Sequence, residues 1–340
     1  MVTIEQVAAR AGVSVATVSR VLNNSDAVRP GTAERVRAAI ESLNYTPNQA
    51  ARNLRRNETR VILALAPNFS NPYYSNILTG IGDLAHENGY SVFICNTDGQ
   101  AENEKKMLEM LEMHRADGAI FLGCQKHYTW LADYAERFPL VQCCEYVPQL
   151  PIPSVSVDNY AAARQAVEYL LALGHRKIAI LSADNDHIST ELRLSGYLDA
   201  MHAAGAEVNP TWITRSDRVY SFCSGRACAE RLLALPDRPT AVFCISDILA
   251  LSVIYAAQDM GLTVPQELTV MGFDDIEYTT MHRPLLSTVS QPTYGLGRKS
   301  TQMLLSAIGT NPAAGTRVFL PHELRIRESS AAPNTIQQEE

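Results

Sequence analysis

Apolar residues recur at helical spacing in three short stretches at the start of the chain. Ile4, Val7, Ala8 and Ala11 fall on one helical face, preceded by Thr3 and Gln6 in a capping-box pattern and stopped by Gly12. Ser14 can cap a second helix from Val15 to Leu22, with Val18, Val21 and Leu22 as its core side, so the connection Gly12-Val13-Ser14 has the length of a helix-turn-helix turn. A third helix carries Ala33, Val36, Ile40 and Leu43 on one stripe, with Arg35, Arg37 and Glu41 on the exposed side. Thr46, Pro47 and Gln49 mark one more helix start, but the segment that follows, to Arg56, is about two turns long, a length marginal in water. Its folding should depend on a partner.

From Arg60 the pattern changes. Apolar strands at 61–66, 90–95 and 119–123 alternate with helices at 74–88 and 102–115, the signature of parallel βα units. Glycine closes a helix before the next strand at Gly89, Gly174 and Gly261. The expected fold is an all-α helix-turn-helix head (1–46), a hinge helix and linker (47–59), and an α/β body of two doubly wound parallel-sheet lobes (60–335). The lobe break is placed near Asp158, with a return crossing in 288–292. The polar stretch 329–340 reads as a frayed tail, with 336–340 outside the body altogether.

Composition narrows the function. In 340 residues no apolar run approaches the roughly 18 residues of a membrane span, and no basic-then-apolar leader opens the chain, so a soluble, cytoplasmic protein with no membrane partner is expected. The first 60 residues hold nine arginines against five acids, which leaves eleven excess negative charges on the rest of a chain of net charge −7. A small basic head on an acidic body fits a nucleic-acid-binding module joined to a regulatory or catalytic one. Of seven cysteines, Cys95, Cys124, Cys143, Cys144 and Cys244 sit in or beside apolar strand runs, where free thiols pack as small hydrophobes.

Enzyme signatures are missing. There is no G-x-x-x-x-G-K-[ST] and no G-x-S-x-G, and Gly295-Leu296-Gly297-Arg298-Lys299-Ser300 lacks the third glycine of a dinucleotide fingerprint. Cys143-Cys144 and Cys223…Cys228 have neither zinc spacing nor neighbouring histidines. No catalytic residue, metal or cofactor is therefore expected.

The stretch Thr3 to Asn23 closely resembles the helix-turn-helix of the LacI/GalR family of bacterial transcription regulators, and the resemblance continues through Asn44-Tyr45-Thr46-Pro47-Asn48 to Leu54 and then along essentially the whole chain. It implies a DNA-reading head on a periplasmic-binding-protein-like body, with a small effector in the cleft between lobes. The first residues of the second helix, Val15, Ala16 and Thr17, then face base edges, with Arg20 one turn on. Arg20 can pair bidentately with a guanine, worth about 1–3 kcal/mol of discrimination, while Val15 and Ala16 offer apolar contact to a thymine methyl. Ser19, Asn23, Thr32 and Tyr45 match family positions on phosphates, which fix register. In the family, hinge helices of two subunits pair in the minor groove; Leu54 matches the wedging leucine, with Ala51 small enough for close approach and Arg55 beside the groove.

In the body, Tyr73 and Tyr74 follow the loop after the first strand, where open α/β sheets bind ligands, and can stack on a sugar or base. Arg193 and Asp274 match the family's ligand-binding pair: a carboxylate accepts vicinal hydroxyls while the guanidinium donates a fork. Ser189 and Tyr220 are further candidates in later loops; Asp247 reads as a helix cap, and His187 fits no pattern. The resemblance implies a repressor binding a palindromic double-stranded operator as a homodimer, without the leucine repeat of family tetramers. Its expected effector is a sugar or sugar derivative, with a nucleoside or purine as alternative, because Arg52 to Arg60 and Pro239 to Cys244 look similar to the cytidine- and purine-responsive branches whereas Val15-Ala16 looks like the galactose-responsive head. A small-molecule binding protein without a DNA role is the competing class.

Overall fold

A computed structural model describes residues 2–22, 27–45, 58–309 and 315–334. The chain forms two compact units, Met1–Thr59 and Arg60–Glu340.

Among the described residues the head has three helices, α1 (Ile4–Ala11), α2 (Val15–Leu22) and α3 (Pro30–Ser42). The Gln6 side chain accepts the Thr3 N–H at 2.9 Å, and Gly12 closes α1 at φ 65° so that the Val13 N–H reaches the Ala8 carbonyl at 3.0 Å. Ser14 Oγ accepts the Thr17 N–H at 3.3 Å and starts α2. Val7, Val18 and Val36, one from each helix, are fully buried at the centre. Residues 46–57, where the hinge helix is expected, lie outside the described residues.

Among the described residues the body holds two six-stranded sheets. The first lobe is built from β1 (Val61–Ala66), α4 (Tyr73–Glu87), β2 (Ser91–Asn96), α5 (Ala101–Glu112), β3 (Gly118–Phe121), α6 (Leu131–Ala135), β4 (Leu140–Cys143) and β5 (Ser154–Val157). The chain then passes to the second lobe: α7 (Asn159–Ala172), β6 (Ile178–Ala183), α8 (Ile188–Ala203), β7 (Ile213–Ser216), α9 (Phe222–Leu233), β8 (Ala241–Cys244), α10 (Asp247–Asp259), β9 (Thr269–Asp274) and β10 (Ser287–Ser290). It returns after Gln291 with α11 (Thr293–Ala307) and β11 (Arg317–Leu320), and ends with β12 (Glu323–Arg325) in the second sheet. The orders are β11-β5-β4-β3-β1-β2 and β12-β10-β9-β8-β6-β7, all pairs parallel except β10 with β12. The chain thus crosses between lobes three times, and the last crossing, between β11 and β12, was not expected.

Burial follows position in the sheet. The inner strands β3, β4, β6, β8 and β9 are buried along their whole length, as parallel strands covered on both faces must be, whereas edge strand β2 leaves Phe93 and Ile94 about half exposed. Glycines set the helix layer. A Cβ on Gly297 of α11 would lie 2.1 Å from the Ile77 carbonyl oxygen of α4, and one on Gly80 of α4 would lie 2.2 Å from that of Tyr294. In the other lobe Gly196 of α8 meets the Tyr160 carbonyl of α7 in the same way, at 2.5 Å.

The frayed-tail reading of 329–340 needs correction over its described part. Ser329 is fully buried, donating to the Val270 carbonyl at 2.6 Å and accepting the Ser287 N–H at 2.8 Å, and the Ala331 carbonyl accepts from His175 Nε2 at 2.9 Å. Small hydroxyl side chains here stitch the chain to the sheet, so a polar composition did not mean fraying.

Candidate functional site

Loops at the C-terminal ends of strands from both sheets meet in one chamber. Asn71, Tyr73 and Tyr74 come from the β1–α4 connection, where Asn71 Oδ1 accepts the Tyr73 N–H at 3.0 Å and starts the helix. Cys144 and Glu145 follow β4, and Asn159 stands at the first crossing. Ser189 and Arg193 lie on the first two turns of α8, Tyr220 and Ser246 precede α9 and α10, Asp274 ends β9, and Gln291 stands at the second crossing. An outer compartment shares Asn71, Tyr74 and Tyr220 with the chamber and adds Asn68, Asp98, Gln100, Gln125, Asn185, His187 and Arg218.

Arg193 is anchored by two of its nitrogens and one face of its guanidinium. Its Nε donates to Asn159 Oδ1 at 2.9 Å, its Nη1 donates to the Ile245 carbonyl, and its guanidinium lies 3.6 Å over the centre of the Phe273 ring. Its Nη1 is 3.9 Å from Asp274 Oδ1. Burial pushes the Asp274 carboxyl up to about 7, opposed by Arg193 and by the Gln291 amide, which donates to Oδ1 at 2.8 Å. Tyr73 Oη donates to Gln291 Oε1 at 3.1 Å, so a hydrogen-bonded row runs from the first lobe through the crossing to Asp274 in the second.

The Asp274 backbone is strained, at φ 123°, and Asp275 follows at φ 61°. Asp247 braces this corner: it accepts the Ile276 N–H at 2.9 Å and the Thr288 hydroxyl at 2.6 Å. Gly272 makes room for it, since a Cβ there would lie 2.3 Å from Asp247 Oδ1. Burial first, and then the nearby Asp274, push the Asp247 carboxyl well up. The helix cap expected of Asp247 falls instead to Ser246, whose Oγ accepts the Leu249 N–H at 3.4 Å.

Across the cleft, Glu145 of the first lobe accepts the Ser189 N–H at 3.1 Å and the Ser189 hydroxyl. At the mouth the Lys126 N–H donates to the Asp186 carbonyl at 3.0 Å, and His127 Nδ1 stands 2.7 Å from Asp186 Oδ2. The six residues chosen from the sequence, Tyr73, Tyr74, Ser189, Arg193, Tyr220 and Asp274, all line the one chamber. Glu145, Asn159 and Gln291 were missed. Glu145 closes an apolar run and the other two stand at lobe crossings, so their position just past a strand end was the available signal. His187 stands at the start of α8 without a side-chain capping bond and lines the outer compartment, its Nδ1 3.2 Å from the Cys124 carbonyl oxygen.

In the head, α2 presents Ala16 and Arg20 to solvent, with Thr17 and Ser19 partly exposed between them and Thr32 partly exposed on α3. Val15 and Tyr45 also pack against the head core, so each has only part of its surface free. Asn23, Ala51, Leu54 and Arg55 lie outside the described residues. Arg10, Arg20, Arg29, Arg35 and Arg37 are all exposed. Among the described residues no helix is long and apolar enough to cross a membrane, and no cluster of His, Cys, Asp and Glu is arranged to hold a metal ion.

The profile of bacterial regulatory proteins of the lacI family matches residues 3–48, and that of periplasmic binding proteins and the sugar binding domain of the LacI family matches residues 59–328. The chain belongs to the LacI family. The HTH-type transcriptional repressor CytR of Escherichia coli strain K12 is 37% identical over 332 residues, 97% of this chain and 96% of that one. A structure of the lac repressor dimer bound to operator and the anti-inducer ONPF superposes with a TM-score of 0.88 at 29% identity, over 97% of this chain and 99% of the other. The complex of the transcriptional regulator CelR with cellobiose gives 0.74 at 30% identity, over 97% and 100%. As a LacI-family protein the chain is a DNA-binding transcription regulator with a ligand-binding body, which sets aside a binding protein without a DNA role.

Proposed function

We propose that the chain is a cytoplasmic repressor, not an enzyme, that binds a roughly palindromic operator as a homodimer and responds to a sugar or sugar derivative held between the lobes. The observation that carries this reading is the convergence of Tyr73, Tyr74, Ser189, Arg193, Tyr220 and Asp274, from both lobes, on one chamber. Asp274 accepts vicinal hydroxyls, Arg193 fixes the carboxylate that does so, and the tyrosines cover the apolar face of the ring. The solved relative with cellobiose supports a sugar. A nucleoside is the second reading, favoured by the three tyrosines and by the carboxamides Asn68, Gln100, Gln125 and Asn185 of the outer compartment.

On the DNA side, Val15, Ala16, Thr17 and Arg20 read the major groove, Ser19, Asn23, Thr32 and Tyr45 hold phosphates, and Ala51, Leu54 and Arg55 serve the hinge. The apolar edge of β2, with Phe93 and Ile94 exposed, supports pairing with a second copy. Binding of the effector changes lobe closure and so the pairing of hinge helices. The test is thermal unfolding against sugars, nucleosides and purines. A true ligand at 100 times its Kd adds about 2.7 kcal/mol. A panel without any stabilising compound would remove the small-molecule reading.

A further inference from the structure

Resting on that reading of the chamber, we propose that Glu145 makes the inner chamber an anion-rejecting filter, so that the effector is an uncharged, donor-rich molecule and its phosphorylated forms are refused. The ionisable side chains lining the chamber set the balance: Glu145 and Asp274 bring two carboxylates, each more than nine-tenths buried, against the single guanidinium of Arg193. Arg193 has two of its three guanidinium nitrogens and one flat face committed within the protein. Its Nε and Nη1 are engaged with Asn159 and the Ile245 carbonyl, its flat face rests on Phe273, and its nearest charge is Asp274 at 3.9 Å.

The other natural anchor for an anion is already taken. The N-terminus of a helix attracts negative groups through its free N–H donors. At α8 the Ser189 N–H donates to Glu145 Oε2 at 3.1 Å, and the Ser189 hydroxyl donates to the other oxygen. A protein carboxylate from the opposite lobe thus stands where a ligand phosphate would bind. In this buried space a phosphate would face Glu145 and, in its ionised form, Asp274, and like charges repel far more strongly there than in water. Hydroxyl or amino donors on a neutral ligand find the opposite: carboxylate oxygens ready to accept.

The experiment uses the full chain and matched pairs: glucose and glucose 6-phosphate, ribose and ribose 5-phosphate, cytidine and cytidine 5′-monophosphate, adenosine and adenosine 5′-monophosphate. Thermal unfolding identifies the binding pair, and calorimetry gives both dissociation constants. The filter predicts that the neutral member binds at least about 100-fold more tightly than its phosphorylated partner, a ratio that falls at least about tenfold in Glu145→Gln and is retained in Glu145→Asp. Melting curves of the three proteins establish that each is folded, and the wild-type ratio stands as a test by itself. A phosphorylated member that binds as well as its partner overturns the filter alone, as does an unchanged ratio in folded Glu145→Gln. If no compound of either kind binds, the effector reading falls and takes the filter with it.

Discussion

Asp274 makes effector affinity depend on pH in a direction that the structure dictates. Its carboxyl is pushed up to about 7 by burial, which outweighs Arg193 at 3.9 Å and the Gln291 amide at 2.8 Å. If it holds ligand hydroxyls as the carboxylate, only the ionised fraction is competent, and the apparent Kd is the intrinsic one divided by that fraction. With a pKa of about 7 the competent fraction is about one in eleven at pH 6 and about nine in ten at pH 8. Affinity should therefore rise about tenfold between those values and level off above. The groups around Asp274 are Arg193 on α8, Tyr73 on α4, Glu145 after β4, and Asp247 and Asp275 at the same corner. Asp247 does not line the chamber, and both of its oxygens accept protein donors, so Asp274 is the group that couples to ligand. The folded-state pKa lies above the ordinary carboxylate value of 3.8, so the unliganded protein loses stability as pH rises from about 4 to about 7, and ligand bound to the ionised form offsets that loss. Calorimetry from pH 5.5 to 8.5 in buffers of different ionisation enthalpy measures both affinity and proton release. Asp274→Asn should bind weakly with no slope. A flat wild-type profile, or a slope that survives Asp274→Asn, would show that Asp274 does not hold the ligand as its carboxylate.

Two further expectations concern the body's stability. Gly297→Ala places a Cβ against the Ile77 carbonyl across a helix pair with no slack, and should cost about 1–3 kcal/mol, seen as a lowered Tm by calorimetry. Glu104, buried beside Thr97 and Tyr128, has its carboxyl pushed up to about 8 by burial; wild-type stability should fall as pH rises from about 4.5 to about 8, and Glu104→Gln should make that fall between urea midpoints at pH 5 and 8 smaller, leaving the part that Asp274 contributes.

What the chain revealed in advance, and what it withheld, follows from the range of the forces involved. Thr3, Gln6, Gly12 and Ser14 act within one turn of backbone, so the head's first two helices could be read from their spacing. The periodicity of β1 and α4 likewise announced the parallel lobes, and resemblance to a family supplied Arg193 and Asp274. Long-range placement was invisible. Gly297 had no local reason to be glycine until α4 was seen pressed against it, and Glu145 gained meaning only when Ser189 arrived from the other lobe. Asp247 was mistaken for a cap because its first-turn position suggests one, while its actual partners, Ile276 and Thr288, come from elements far along the chain. Ser329 was mistaken for fraying because composition alone cannot tell a solvated hydroxyl from one that ties β9 to the chain end.

Selection of bound duplexes from a random pool asks whether α2 reads DNA for a two-fold symmetric regulator. Wild-type protein should enrich a palindromic sequence with a guanine at equivalent positions of both half-sites, and Arg20→Ala, which removes an exposed side chain, should lose preference at that base pair by about 1–3 kcal/mol. Enrichment of an asymmetric site, or of the same sequence with undiminished preference by Arg20→Ala, would contradict that role of α2.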